Sequence, residues 1–368
     1  MMRVPYSYLD RQFAEPDAIL ADIRELVRRG DYTLGAAVGE FEERYARMLG
    51  ARHAIGVGSG TEALTLALQA VGVRPGDEVV TAPNTFIASV GAIVAAGARP
   101  VFVDVNAEHN IDAALIERAV TPRTRALMPV HLSGNPVDMA AIVEIAQRRR
   151  VPIVEDACQA FTAAIGGRAV GTFGEAAGFS LHPLKPLNVW GDAGMIVTDS
   201  DTLADHLRLR RNHGLRDRDT VEIFGVNSRL DTLQALVGLH LLDTTGAVTE
   251  RRIGHARRLD AGLAPLAPHI TVPPRRPGVR HAYLTYVVQA QDRDGLVRFL
   301  VERGVEAKVH YPVPVHLQPA AKDLGYKPGD FPVCERQARE IVTLPAHQHL
   351  TFDQLDYVVE QVTEFYSR

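Results

Sequence analysis

From about residue 50 onward, short β-branched runs alternate with stretches whose apolar residues recur at helical spacing. That alternation restricts the chain to an α/β domain on a mainly parallel sheet. The runs Ala54–Val57, Glu78–Thr81, Pro100–Val105, Thr124–Val130, Val151–Glu155, Ala176–Leu181 and Met195–Thr198 predict a seven-stranded sheet. Helices are predicted between them at Glu62–Val71, Phe86–Ala96, Ile111–Ala119, Met139–Arg149 and Leu203–Arg211. Asp17–Arg28 precedes the sheet and Ser228–Leu242 follows it. The proline-rich stretch Ala264–Val279 then excludes a helix or central strand. Beyond it come an apolar run at Ala282–Gln289, a helix at Asp294–Arg303, an irregular stretch at Tyr311–Pro319, and closing helices around Cys334–Thr343 and Phe352–Tyr366. The expected division is a large domain over residues 1–245, including the N-terminal segment, and a smaller C-terminal α+β domain over 246–368.

Charge and composition narrow the function classes. With 44 acidic residues against 40 basic ones, the chain lacks the clustered positive charge that phosphate neutralisation requires, so nucleic acid is not an expected partner. The longest apolar stretch, Ile87 to Val103, is broken by Arg99-Pro100 and falls short of the roughly 20 residues of a membrane span. Asp10, Arg11 and Glu15 do not fit a signal peptide, and two cysteines, Cys158 and Cys334, are too few for a disulfide scaffold. The expectation is a cytoplasmic protein with no membrane contact.

Three strand ends carry functional-looking clusters, and ligands of open α/β sheets bind beyond the carboxyl ends of the strands. Ser59-Gly60-Thr61-Glu62 opens a helix; it either caps that helix or cradles an anion on free amides at the positive end of the dipole. Val154-Glu155-Asp156-Ala157-Cys158-Gln159 ends an apolar strand in a carboxylate, which can hold a cation or a protonated ring nitrogen, or cap the next turn. Cys158 reads as a packed residue, since no histidine stands at a telling spacing. Phe86 lies at a fourth strand end, where it can stack on a ligand ring or join the core.

The third cluster, Ala176 to Lys185, is where residue usage becomes informative. The chain has 36 arginines but only four lysines, Lys185, Lys308, Lys322 and Lys327. Lys185 is thus the only lysine before residue 308, and it is flanked by Leu184, Pro186 and Leu187. Arginine cannot lose its proton in a protein, whereas a desolvated lysine can, and so can form a Schiff base. A Schiff-base lysine, a phosphate cup and a strand-end carboxylate are the parts of a pyridoxal phosphate site.

These residues resemble the DegT-type sugar aminotransferase family of fold-type I pyridoxal phosphate enzymes. The likeness runs through Gly30-Asp31-Tyr32-Thr33-Leu34-Gly35, Ser59-Gly60-Thr61-Glu62, Val154-Glu155-Asp156-Ala157, Phe179-Ser180 with Lys185, Arg211-Asn212-His213-Gly214, Gly225-Val226-Asn227-Ser228-Arg229-Leu230, and His310-Tyr311-Pro312 with His316. The resemblance implies that Lys185 forms the Schiff base and shuttles the proton, with pyridoxamine phosphate as the intermediate cofactor form. It implies that Asp156 holds the pyridine nitrogen, Gln159 the ring hydroxyl side, and Phe86 the ring face, while Gly60, Thr61 and Ser180 bind the phosphate. Asn227 matches an asparagine that the neighbouring subunit contributes, which implies a homodimer. Tyr311 and His316 match substrate contacts, and no metal is implied.

The chain departs from the family at His182, Pro186, Ala193 and Ser133, where an aromatic residue, Asn, Gly and Tyr are common. The implied reaction carries an amino group from glutamate or glutamine to a nucleotide-linked keto sugar. A keto-cyclitol acceptor and a non-catalytic, cofactor-binding regulator are the alternatives. Arg229, Arg216, Arg218 and the runs Arg251-Arg252 and Arg257-Arg258 are candidates for a sugar-nucleotide diphosphate. A dinucleotide oxidoreductase is excluded, since no Gly-x-Gly-x-x-Gly stands between a first strand and helix.

Overall fold

A computed structural model describes residues 2–368. The strands β1 (His53–Val57), β2 (Glu78–Thr81), β3 (Arg99–Phe102), β4 (Thr124–Leu127), β5 (Val154–Asp156), β6 (Ala176–Ser180) and β7 (Gly194–Thr198) form the central layer. Ladders join β3-β2-β4 and β5-β6-β7-β1, and parallel bridges at Leu127–Ile153 and Val130–Asp156 stitch the two halves together. Within this layer β7 alone runs antiparallel to its neighbours, β1 and β6. The other ladders are parallel.

Both faces of the sheet are covered, as a mainly parallel sheet requires. Successive residues of a strand point to opposite faces, and the cores divide accordingly. Ala177, Phe179, Met195 and Val197 pack with Phe41, Tyr45 and Phe161 on one side, whereas Ala176 and Ile196 pack with Leu64, Leu68 and Ile93 on the other. Helix Gly60–Ala70 lies close to β6 because position 178 has no side chain: a Cβ on Gly178 would fall 2.7 Å from Leu64 Cδ2.

The C-terminal third has its own antiparallel sheet of Ile270–Thr271, Tyr286–Ala290 and Ile341–Leu344. Helices Thr245–Leu263, Arg293–Glu302 and Phe352–Tyr366 contribute to its core. Val4 belongs to this same core and bridges Val305. The first residues of the chain therefore pack against its last third.

Three helices escape the sequence reading, the short Leu9–Gln12 and the longer Ala36–Leu49 and Thr245–Leu263. In Thr245–Leu263, the buried stripe includes Thr249, Arg252 and His255, which mutes the apolar periodicity. The helix expected across Cys334–Thr343 ends at Glu340; the β-branched Ile341-Val342-Thr343 instead pairs with Val287–Gln289. Among the described residues, no helix is long and apolar enough to cross a membrane.

Candidate active site

The three strand-end clusters meet at one point. Ser59 caps helix Gly60–Ala70, its Oγ accepting the Glu62 amide at 3.2 Å. A Cβ on Gly60 would lie 2.7 Å from Ser180 Cβ and 3.2 Å from Cys158 Sγ. Glycine is needed there so that the ends of β1, β5 and β6 can close around the same space. The result is a cup of backbone amides at a helix N-terminus, suited to an anion.

Asp156 is the last residue of β5 and is almost wholly buried. Its Oδ2 accepts a 2.5 Å hydrogen bond from Ser89 Oγ, and its Oδ1 accepts the Cys158 amide at 3.1 Å. Ser89 Oγ is itself 2.7 Å from Thr85 Oγ1, so a buried pair of hydroxyls backs the carboxylate. Cys158 stays a thiol: burial first, and then the Asp156 charge, push it well above the ordinary range.

Lys185 lies in the loop between β6 and β7. Burial lowers its pKa, and Cys158 and Asp156 oppose that shift without reversing it. Tyr8 steadies the loop, its hydroxyl donating to the carbonyls of Leu184 (3.1 Å) and Lys185 (3.2 Å).

These groups line a cavity of about 460 Å³, together with Thr61, Phe86, Gln159 and Tyr311. Gln159 Oε1 accepts the Ser133 amide at 2.7 Å, which fixes the amide over the cavity floor. Phe86 is half exposed, with its ring 6.0 Å from that of Tyr311. Burial pushes the Tyr311 phenol up to about 12, so it is a hydrogen-bond donor at neutral pH. Asp192, His182 and Ser133 also line the cavity, and Ser133 Oγ accepts from Thr285 Oγ1 at 2.7 Å.

Other expected residues lie elsewhere. His316 is buried away from the cavity, its Nε2 on Glu335 at 3.1 Å and its ring against Phe331, so its reading as a substrate contact is not carried forward. Asn227 is exposed on a hairpin, where it bridges Asn212. Arg229 donates to Asn212 Oδ1 at 3.0 Å at the root of that hairpin, and Phe224 near its tip is 96% exposed. Arg216 is tied to Asp205 and Glu222 on the surface, and Arg258 to Asp356. Arg218, Arg251 and Arg257 are exposed, whereas Arg252 is buried in the cavity wall.

The sequence reading missed Ser89, Tyr6, Tyr8, His310 and His347, and singled out Arg252 only as part of a run. Ser89 had a signal: it is a hydroxyl one helical turn beyond Phe86 in the otherwise apolar Ile87–Ala95. Tyr6 and Tyr8 had none, since they precede any periodic pattern.

The residues present fit pyridoxal phosphate. The glycine cup suits its phosphate, the buried carboxylate its ring nitrogen, and the desolvated lysine its aldehyde. Fold and site together define a fold-type I pyridoxal phosphate-dependent transferase. The model of the DegT/DnrJ/EryC1/StrS aminotransferase family matches residues 14–363, so the chain belongs to that family and is an aminotransferase.

Among its relatives, the dTDP-3-amino-3,4,6-trideoxy-alpha-D-glucose transaminase of Streptomyces venezuelae is 41% identical, covering 100% of this chain and 97% of its own length. A pleiotropic regulatory protein of Geobacillus stearothermophilus is also 41% identical, covering 99% of each. The crystal structure of S. venezuelae DesV in complex with a ketimine intermediate superposes with a TM-score of 0.97 at 41% identity, over 100% of both chains.

Proposed function

We propose that this enzyme moves an amino group from glutamate or glutamine to the keto group of a nucleotide-linked deoxysugar, in amino-sugar biosynthesis. The observation that carries the reading is the meeting of Lys185, Asp156 and the Gly60 cup around one cavity, in a chain 41% identical to a dTDP-sugar transaminase along its whole length. Bound there, pyridoxal phosphate supplies an aldehyde for amine exchange and a protonated ring that takes up an electron pair.

The chain's own groups do the rest. Lys185 Nζ would hold the cofactor at its aldehyde and give way to the donor amine. Freed, and with its pKa lowered by burial, Nζ takes the proton from the donor's Cα. On the acceptor half of the reaction it delivers a proton to the carbon that receives nitrogen. Asp156 would hold the ring nitrogen, and the Ser89 hydrogen bond fixes the carboxylate in place. Gly60, Thr61 and Ser180 would bind the phosphate, with Gln159 toward the ring hydroxyl and Phe86 toward a ring face. Tyr311 donates to the sugar.

The functional unit is a homodimer in which the partner subunit's Asn227 completes the phosphate site. The exposed hairpin between Asn212 and Asn227, with Phe224 fully in solvent, supports that reading, and Arg229 at its root travels with it toward the substrate. Incubating the holoenzyme with glutamate and a dTDP-linked 3-keto-deoxyhexose tests the proposal. Mass spectrometry is expected to detect glutamate-dependent amino sugar, and its absence alongside intact bound cofactor overturns the acceptor assignment.

A further inference from the structure

Glu42 and Arg211 are buried and paired with each other, and neither lines the cavity. Together they clasp one residue of β1. Glu42 Oε1 accepts from the Gly56 amide at 2.8 Å and from Arg211 Nη1, which also donates to the Gly56 carbonyl at 2.7 Å. The clasp needs a glycine: a Cβ on Gly56 would lie 3.3 Å from Glu42 Oε1 and 2.7 Å from Leu230 Cδ2. A carboxylate and a carbonyl thus fix the direction of the Arg211 guanidinium. A buried ion pair adds little net stability over apolar packing, so its use lies in the geometry it imposes.

Arg211 stands at the root of the hairpin that carries Asn227. It follows helix Asp201–Arg210, its carbonyl accepts the Ser228 amide at 2.9 Å, and the next residue, Asn212, bridges Asn227. β1 does not depend on the pair, because it is laddered to β7 over its whole length and buries Ile55 and Val57 in the core. The Asn227 end of the hairpin is held by less: the Ser228 amide on Arg211, the Val226 amide on the Arg210 carbonyl at 2.8 Å, and the Gly58 amide on Ser228 Oγ at 3.3 Å. Two of these three bonds pass through the backbone that Glu42 pins. We infer that Glu42, acting through Arg211, is a positioning residue for the neighbouring active site: it sets where its own chain's Asn227 meets the partner's cofactor phosphate. This rests on the reading that Asn227 completes the phosphate site of the other subunit. A role in its own subunit would instead run through Gly56 to the Ser59-Gly60 cup at the end of β1.

Mixed dimers separate the two directions. The readout is the visible absorbance of lysine-bound pyridoxal phosphate that survives dialysis; a Lys185→Ala chain contributes none, so only the other chain's site is seen. Glu42→Ala homodimers are expected to release cofactor roughly tenfold faster than wild type, as for a lost hydrogen bond to a charged group. In a Glu42→Ala/Lys185→Ala dimer, the visible site combines the first chain's cup with the second chain's intact hairpin. It is expected to hold cofactor as wild type does, with about half the wild-type band. In a Glu42→Ala/Asn227→Ala dimer every site meets a faulty hairpin, and both are expected to release cofactor roughly tenfold faster. Release from the first dimer, or retention in the second, overturns the inference, as does wild-type retention in Glu42→Ala homodimers. If Glu42→Ala does not fold, Glu42→Gln, which keeps the shape and loses the charge, is read in the same dimers against the same outcomes. A Lys185→Ala/Asn227→Ala dimer checks the underlying reading and is expected to keep half the band. Release there removes the shared site and the Glu42 inference with it, whereas retention there with release from the first dimer removes the Glu42 inference alone.

Discussion

Ser89 Oγ donates to Asp156 Oδ2 at 2.5 Å, and both side chains are nearly inaccessible to water. A hydroxyl donated to a buried carboxylate offsets part of the cost of removing that group from water and fixes its orientation toward the cavity. Ser89→Ala removes a hydrogen bond worth about 1.5–3 kcal/mol to a charged group. Turnover of the loaded variant is expected to fall roughly 10- to 100-fold, with a melting temperature lower by a few degrees. Steady-state kinetics on the loaded variant checks this, and unaltered kcat means that Asp156 does not depend on Ser89.

Burial lowers the pKa of Lys185 from its ordinary 10.5. In the cofactor-free protein, the unfolded chain then holds the proton up to a higher pH than the folded one. The group accordingly destabilises the fold below its folded pKa, and stability recovers as pH rises toward 10.5. The rate at which the apoprotein captures pyridoxal is expected to level off below pH 10.5. A rate that climbs like that of a free lysine contradicts the burial argument. Lys185→Ala is expected to lack the visible absorbance band of the lysine-bound cofactor and to lose at least about 10²–10⁴-fold in turnover, the range of general acid–base catalysis.

Gly60→Ala places a methyl 2.7 Å from Ser180 Cβ. Overpacking of this kind costs about 1–3 kcal/mol. It pushes apart the cup that approaches the phosphate. Dialysis of the variant holoenzyme is expected to release cofactor at least roughly tenfold more readily, the equivalent of about 1.4 kcal/mol. Retention equal to wild type means that the cup does not contact the phosphate.

If the partner subunit's Asn227 completes each site, two inactive variants rescue each other. In a mixed dimer of Lys185→Ala and Asn227→Ala protomers, one site has an intact lysine and an intact asparagine. Random reassociation is expected to restore about a quarter of wild-type activity, one good site in half of the dimers. Mixtures no more active than the separate variants place Asn227 outside the neighbour's site.

The strands and the three clusters at their ends were legible because short, nearly continuous apolar runs, each closed by polar or glycine residues, mark strands buried on both faces. Helix Phe352–Tyr366 was legible for the same kind of reason, an uninterrupted 3.6-residue stripe with a Thr351–Gln354 capping box at its start. Arg252 was hidden because Arg251-Arg252 reads as a solvated pair, although position 252 continues the buried stripe through Ala256, Leu259 and Leu263. For His316, sequence places a histidine in the stretch without saying which way it turns, and in the structure it faces Glu335. Tyr6 and Tyr8 could not be read at all: their partners lie about 170 to 300 positions away, and no local pattern encodes such contacts.

That last separation has a kinetic meaning. The cavity wall is finished by Tyr6 and Tyr8, which are held by Val4 against Val305, the Tyr6 amide on Glu306 and Tyr8 on the Lys185 loop. Contacts this distant along the chain form late, after the large loops they close have lost their freedom. During synthesis, the opening residues wait until some 300 others have followed before their place exists. The lysine loop therefore gains its Tyr8 anchor only after parts of the chain some 177 positions apart have met.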